Sequence, residues 1–348
     1  MEQPKIGVIG SGSWATALAK LLTDNGHPIH WMVRTEKTAD HIRKRHHNPV
    51  YLSSVYFNPS LLSLYTSVKE VFKTADLIVL AVPSAYVADV LSELTPDDFI
   101  GKRIVSAVKG ILPHNNSLIN DYLNKEFDFN TTGYFTIMGP CHAEEVAAEK
   151  LSYLTFSGLN ETRALEIASY FKTEYLNTIV NDDVYGVQFA AVLKNIYALG
   201  AGMAHGLDYG DNFLSVFIAN CADEMAGFLR KTGMHNVEVG IHEGQDPVTH
   251  KKKANYAASV YLGDLLVTCY SPYSRNRTFG NMIGKGYSVK SAQLEMNMVA
   301  EGHNAARCVF EMNRTIQAEM PIAETIYQVL WQNVKASEGF KRIEESLV

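Results

Sequence analysis

Through the first half of the chain, short apolar runs alternate with longer stretches of helical period. Apolar strands are expected at residues 5–9, 28–34, 77–82, 103–108 and 134–138, with two more near 151–157 and 175–180. Helices are expected at 14–25, about 36–46, 85–94, 142–149 and 161–172, with a looser stretch around Asn48-Pro49 and Asn58-Pro59. Runs such as Leu77-Ile78-Val79-Leu80-Ala81-Val82 carry no polar alternation, which fits strands buried on both faces of a parallel sheet. From Val184 onward the strand signals fade. Helical segments are expected at 184–203, 212–231, around 255–269, 274–283, 291–298 and 304–312, with one or two more after Ile322. The pattern therefore predicts an α/β domain over 1–182, built on a doubly wound parallel sheet, followed by an all-helical domain over 183–348. The boundary falls at Asn181-Asp182-Asp183, a cluster suited to capping a helix.

Composition narrows the class of molecule. At 348 residues the chain exceeds what one core usually holds, and 47% hydrophobic with 20% charged residues suits packed cores rather than disorder. A net charge of -6 argues against nucleic acid as the main partner, so any anion must be held by a local site. No uncharged apolar run reaches the ~18 residues that span a bilayer. The first strand starts too close to Met1 for a signal peptide, and the expectation is a cytoplasmic protein. Cys141, Cys221, Cys269 and Cys308 are widely spaced and form no C-x-x-C pair, as free thiols in a reducing compartment would be.

The first strand runs into Gly10-Ser11-Gly12-Ser13-Trp14-Ala15. In a Rossmann-like sheet such a turn seats a dinucleotide pyrophosphate. Gly10 permits the tight turn, Gly12 lets the backbone approach the phosphates without a Cβ, and Ala15 lets the helix pack closely on its strand. The helix then presents unpaired N–H groups and its positive end to the anion. The bland alternative is a tight strand-to-helix turn with no ligand.

Residues that follow apolar strands lie where ligands bind in such sheets. Lys109, after Val108 and before Gly110, is either a site cation or an ordinary solvated lysine. Lys194 lies in the stretch Phe189 to Met203, which is too apolar for a wholly exposed helix. Buried there, it needs an anion or loses its proton, the tuning that general acid–base chemistry requires. The alternative is a lysine snorkelling along a narrow polar stripe with Asn195 and Asn220. Asp264 and Thr268 share a helix face, and Ser274 is a good N-cap that puts Arg275 and Asn276 in the next helix's first turn. That arrangement suits a phosphate; blandly, it is a cap and two surface arginines.

Taken together, Gly10 to Ala19, Val108-Lys109-Gly110, Gly139 to Glu144, Leu193-Lys194-Asn195, Gly206 to Asn212, Gly263-Asp264, Ser274 to Arg277 and Ala300-Glu301-Gly302 occur in the order found in one enzyme family. Over roughly residues 5–330 the chain resembles NAD(P)-dependent glycerol-3-phosphate dehydrogenases of the bacterial type. The resemblance implies reversible reduction of dihydroxyacetone phosphate to sn-glycerol 3-phosphate, which supplies phospholipid synthesis, by a homodimer. It places the acid/base role on Lys194 and the second active-site lysine, touching substrate and cofactor, on Lys109. Asp264 and Asn195 would orient the lysines or the substrate hydroxyl. Ser274, Arg275 and Asn276 would hold the substrate end, with Arg275 also reaching the cofactor. Gly139, Cys141 and Ala143 would line the cleft, and Val299 and Glu301 would close over the nucleotide. Ser13, Trp14 and Tyr51 complete the expected cofactor set.

Cofactor choice follows from the end of the second strand, Trp31-Met32-Val33-Arg34-Thr35, which carries no carboxylate before Glu36. Selection of NAD uses an acid there; Arg34 instead suits a 2′-phosphate, so NADP is favoured over NAD. Cys141 and His142 stand where the family commonly has Ser and Phe. The thiol is the poorer donor and, if partly exposed, would be open to oxidation. Residues 243–253, ending in three lysines, read as a polar surface loop. His41, His46 and His47 lack metal-ligand spacing, and no metal site is expected. His205 either tunes Lys194 or caps its helix. Two rivals share parts of this pattern: a 3-hydroxyacid or 6-phosphogluconate type of dehydrogenase, and a nucleotide sensor that would not need Lys109, Lys194 and Asp264 together.

Overall fold

The computed structural model describes residues 4–233, 257–296 and 300–347. By internal contacts the chain forms two compact units, Met1–Val108 with Ser117–Val184, and Lys109–Asn116 with Tyr185–Val348. The division is thus not a single cut, because eight residues after the fifth strand pack with the helical unit. Asn195 Nδ2 donates to the Lys109 carbonyl (3.0 Å), Asn116 Nδ2 to Glu311 Oε2 (2.5 Å) and Arg307 Nη2 to the Pro113 carbonyl (3.5 Å).

The described part of unit 1 holds one eight-stranded sheet of order β3-β2-β1-β4-β5-β6-β7-β8. The strands are β1 (Ile6–Ile9), β2 (Ile29–Met32), β3 (Leu62–Tyr65), β4 (Leu77–Leu80), β5 (Arg103–Ser106), β6 (Tyr134–Met138), β7 (Ser152–Ser157) and β8 (Leu176–Asn181). Its helices are α1 (Ser13–Asp24), α2 (Glu36–Arg45), α3 (Val68–Thr74), α4 (Val87–Leu91), α5 (Ile119–Phe127), α6 (Ala143–Ala147) and α7 (Glu161–Phe171). The first six strands are parallel, and β1 and β4 are wholly buried, as their unbroken apolar runs require.

The sheet and its connections depart from the sequence reading, which gave neither α3 nor α5. The sheet is not parallel throughout: β7 runs antiparallel to β6, and β8 returns parallel to β7. The physical reason is the connection, since α6 has only five residues and is too short to carry the chain back across the sheet, whereas the eleven residues of α7 do so. Strand β3 was also unexpected. It is a four-residue edge strand, only partly buried, in the stretch read as loose.

Unit 2 comprises α8 (Val184–Gly206), α9 (Asp211–Lys231), α10 (Asp264–Tyr270), α11 (Arg275–Gly284), α12 (Val289–Glu295), α13 (Glu301–Ile316), α14 (Pro321–Trp331) and α15 (Ala336–Ser346). A π-helical turn, Ala257–Gly263, leads into α10. Helix α8 is buried along most of its length, which its uniformly apolar sequence demands. It crosses α11 closely enough that Cβ atoms on Gly202 or Gly206 would collide with the carbonyls of Arg277 or Asn281, and Cβ atoms on Gly280 or Gly284 with those of Leu199 or Met203. Among the described residues no helix is long and apolar enough to cross a membrane.

Candidate active site

In unit 1 the turn between β1 and α1 is braced from two sides. Gly10 has φ +125°, and a Cβ there would collide with the Ala81 carbonyl, so only glycine fits this turn. Trp31 Nε1 donates to the Gly10 carbonyl at 2.7 Å. Buried Asn48 donates to the Ser11 carbonyl (3.1 Å) and to Thr16 Oγ1 (2.9 Å), and its Oδ1 accepts from the amides of Val50 and Tyr51 (3.0 and 3.1 Å). Asn48 thereby ties half-buried Tyr51 to the glycine turn. Its only sequence signal was the Asn-Pro dipeptide, which marks a turn but not what the side chain holds.

The turn fits a pyrophosphate. A Cβ on Gly12 would meet nothing within 4 Å, Gly12 caps α1 without any side-chain bond, and no acidic residue occupies the first turn. Ser13 and Ala15 are buried and Trp14 is half-buried at the same helix start. Arg34 is exposed just past β2, while Glu36, the first carboxylate beyond it, accepts from Arg43 Nη1 at 2.6 Å. Gly139, Cys141 and Ala143 follow β6 in sequence, all buried. Cys141 is buried, which keeps the thiol from solvent oxidants. None of the four cysteines is in a disulfide, and all are buried.

In unit 2 the two readings of Lys194 are decided by burial. Its side chain is 4% exposed and pairs with Oδ1 of buried Asp264, while Asn220 Nδ2 donates to the Val216 carbonyl on its own helix. Burial pushes the Lys194 ammonium down to about 8. The Asp264 charge opposes that shift, and the Lys109 charge adds to it. Thr268 Oγ1 donates to the Asp264 carbonyl at 2.6 Å, fixing the start of α10. Asp264 Oδ2 is buried with no hydrogen-bond partner, an acceptor left open beside the lysine.

Ser274 caps α11, accepting from the Arg277 amide at 3.3 Å, and half-buried Arg275 begins the helix. Buried Asn276 lies one residue further on; its Nδ2 donates to Asn195 Oδ1 (2.8 Å) and its Oδ1 accepts from the Gly302 amide (2.9 Å). Lys109, Lys194, Asn195, Asp264, Ser274, Arg275 and Asn276 are all in unit 2. Glu301 begins α13; Val299 and the 243–253 stretch lie outside the described residues. His205 stands exposed in the last turn of α8. His41 and His47 meet edge-on, His46 stacks on Tyr56, and among the described residues no group of three His, Cys, Asp or Glu is placed to hold a metal.

The family models for the N-terminus and the C-terminus of NAD-dependent glycerol-3-phosphate dehydrogenase match residues 5–164 and 183–341. The chain belongs to this family. A glycerol-3-phosphate dehydrogenase [NAD(P)+] of Enterococcus faecalis is 31% identical over 340 residues, covering 97% of this chain and 95% of that protein. The enzyme of the same name from Chlorobium limicola is 33% identical over 328 residues, 94% and 93% of the two chains. Among solved structures, the glycerol-3-phosphate dehydrogenase of Coxiella burnetii superposes with a TM-score of 0.85 at 25% identity, covering 99% of each chain. The α/β Rossmann-like unit followed by helices matches the fold of that solved relative.

Proposed function

We propose that the protein catalyses the reversible NAD(P)H-dependent reduction of dihydroxyacetone phosphate to sn-glycerol 3-phosphate, feeding glycerophospholipid synthesis. The observation that carries this reading is the buried Lys194–Asp264 pair, a lysine tuned to about 8 and held by one carboxylate oxygen with the other left open. Family membership of nearly the whole chain supports the substrate.

In reduction, Lys194 Nζ donates a proton to the oxygen of the ketone as it gains negative charge; in oxidation the neutral amine takes that proton from the alcohol. Asp264 Oδ1 aims the lysine, and Oδ2 accepts from a substrate hydroxyl. Lys109 stabilises charge on the same oxygen. The capped start of α11, with Ser274 and Arg275, holds the phosphate. Gly10, Gly12, Ser13 and Trp14 hold the dinucleotide pyrophosphate, with Tyr51 and Ala143 as further contacts. The bound nicotinamide supplies or accepts the hydride. Arg34, with no carboxylate free to repel a 2′-phosphate, favours NADP over NAD. A cytoplasmic location and a homodimer are part of the proposal. The unbridged cysteines support the first, and light scattering on purified protein tests the second.

The deciding experiment follows NADPH and NADH absorbance on adding dihydroxyacetone phosphate, with Lys194→Ala in parallel. The expected result is turnover by the native protein and a loss of about 10²–10⁴-fold in the variant. No oxidation by native protein that binds the cofactor would remove the substrate assignment.

A further inference from the structure

We propose that Asn195 and Asn276 form a one-way hydrogen-bond relay that sets the position of Lys109 from the first turn of α13, which makes Asn276 a positioning residue. The inference rests on the proposed role of Lys109 at the reacting oxygen.

The relay has three bonds and one direction. The Gly302 amide donates to Asn276 Oδ1 (2.9 Å), Asn276 Nδ2 donates to Asn195 Oδ1 (2.8 Å), and Asn195 Nδ2 donates to the Lys109 carbonyl (3.0 Å). Its two ends are backbone groups, an amide that only donates and a carbonyl that only accepts. Both side-chain orientations are therefore dictated; turning over either amide would set donor against donor at one end and acceptor against acceptor at the other. Both asparagines are buried, so solvent does not readily replace a lost bond. The relay is also anchored sterically. A Cβ on Gly302 would collide with the Asn195 carbonyl, so the start of α13 sits directly on the turn of α8 that carries Lys194 and Asn195. Asn276 thus spends its oxygen and one N–H inside the protein, joining the start of α13 to Asn195. Misplacing a catalytic group by about 1 Å costs on the order of 10²-fold in rate, so a relay of this kind governs turnover more than substrate affinity.

The test is a double-mutant cycle in the full-length protein: Asn195→Ala, Asn276→Ala and both together, with native turnover of dihydroxyacetone phosphate as control. Each single change should lower kcat by about 10–100-fold and alter KM less than about threefold. The double variant should be within about threefold of the worse single, because one broken relay cannot be broken again. Losses that multiply, or that fall on KM alone, overturn the proposal.

Asn276→Asp adds a readout that a merely structural role would not move. Ionised, the new carboxylate accepts from Gly302 but faces Asn195 Oδ1 as a second acceptor. Protonated, it donates to Asn195 while still accepting from Gly302, and the relay is complete again. Its reductive kcat relative to native should rise several-fold as pH falls, while the ratio for Asn276→Ala stays flat. Lys109, Lys194, Asp264, Arg275 and Glu301, the charged groups around the relay, are common to all these proteins, so the ratio isolates the substituted side chain. A flat Asn276→Asp ratio overturns the relay.

Hydrogen exchange at the Gly302 amide needs no activity. Protection should fall in Asn195→Ala as well as in Asn276→Ala, and unchanged protection in Asn195→Ala contradicts the relay. Were the native protein inactive with dihydroxyacetone phosphate, this arm would decide the relay while the substrate reading failed separately.

Discussion

A lysine surrounded by apolar side chains loses the hydration that favours its charge, and the neighbouring Asp264 restores only part of it, leaving Lys194 near 8. The two directions of the reaction then need opposite states of one group. Reductive kcat/KM should fall about tenfold per pH unit above about 8, and oxidative kcat/KM should fall likewise below it. Paired pH–rate profiles check this; profiles that ran parallel would exclude Lys194 as the proton donor and acceptor. Arg34 carries a second prediction. Arg34→Glu should lower kcat/KM for NADPH by about tenfold or more while sparing NADH, since it trades a charge-assisted bond to the 2′-phosphate for repulsion. At this scale the sequence was informative where chemistry is local, as at the glycine turn or the Ser274 cap. It left Lys194 undecided because burial is a property of the fold. It could not show the bonds of Asn195 and Asn276, whose partners are at 109 and 302.

Helix placement depends on backbones that touch. At the α8–α11 crossing the four glycines leave carbonyls in van der Waals contact, so Gly280→Ala would push one helix off the other at a cost of about 1–3 kcal/mol. The expected outcome is a lower melting temperature together with reduced kcat, because α8 carries Lys194 and α11 carries Asn276. A variant that melted and turned over normally would show that the crossing tolerates a side chain. The sequence pattern predicted α8, α9 and α11 well, since α9 and α11 have apolar faces at helical spacing and α8 is apolar over the length of a buried helix. The edge strand β3 escaped notice because four residues, three half-buried and one exposed, make too short a period. The reversal at β7 escaped because direction depends on the length of α6, not on the apolar run of the strand.

Folding stability collects contributions from groups remote from the chemistry. Glu224 on α9 is buried, and its carboxylate accepts from Ile322 and Ala323 at the start of α14 (2.8 and 3.0 Å) and from Tyr197 on α8 (3.1 Å). Burial lifts its pKa from 4.5 to about 7 against those donors. Between those values the folded protein holds a proton that the unfolded chain releases, so Glu224's contribution to stability is full below about 4.5 and is lost as pH rises through about 7. Denaturant titrations should show this decline in native protein and a flatter trend in Glu224→Gln; identical slopes would mean that Glu224 is ionised throughout. The passage of Lys109–Asn116 into the helical unit bears on how such a chain can be divided. A protease site introduced at the Asp182-Asp183 boundary would sever the connection expected from sequence, yet the amino-terminal fragment would keep its grip on the other through bonds at Lys109, Pro113 and Asn116. The nicked protein should therefore elute as one species under native conditions and separate only in denaturant. A gene encoding residues 183–348 alone would lack the Lys109–Asn116 segment that packs with the helical unit.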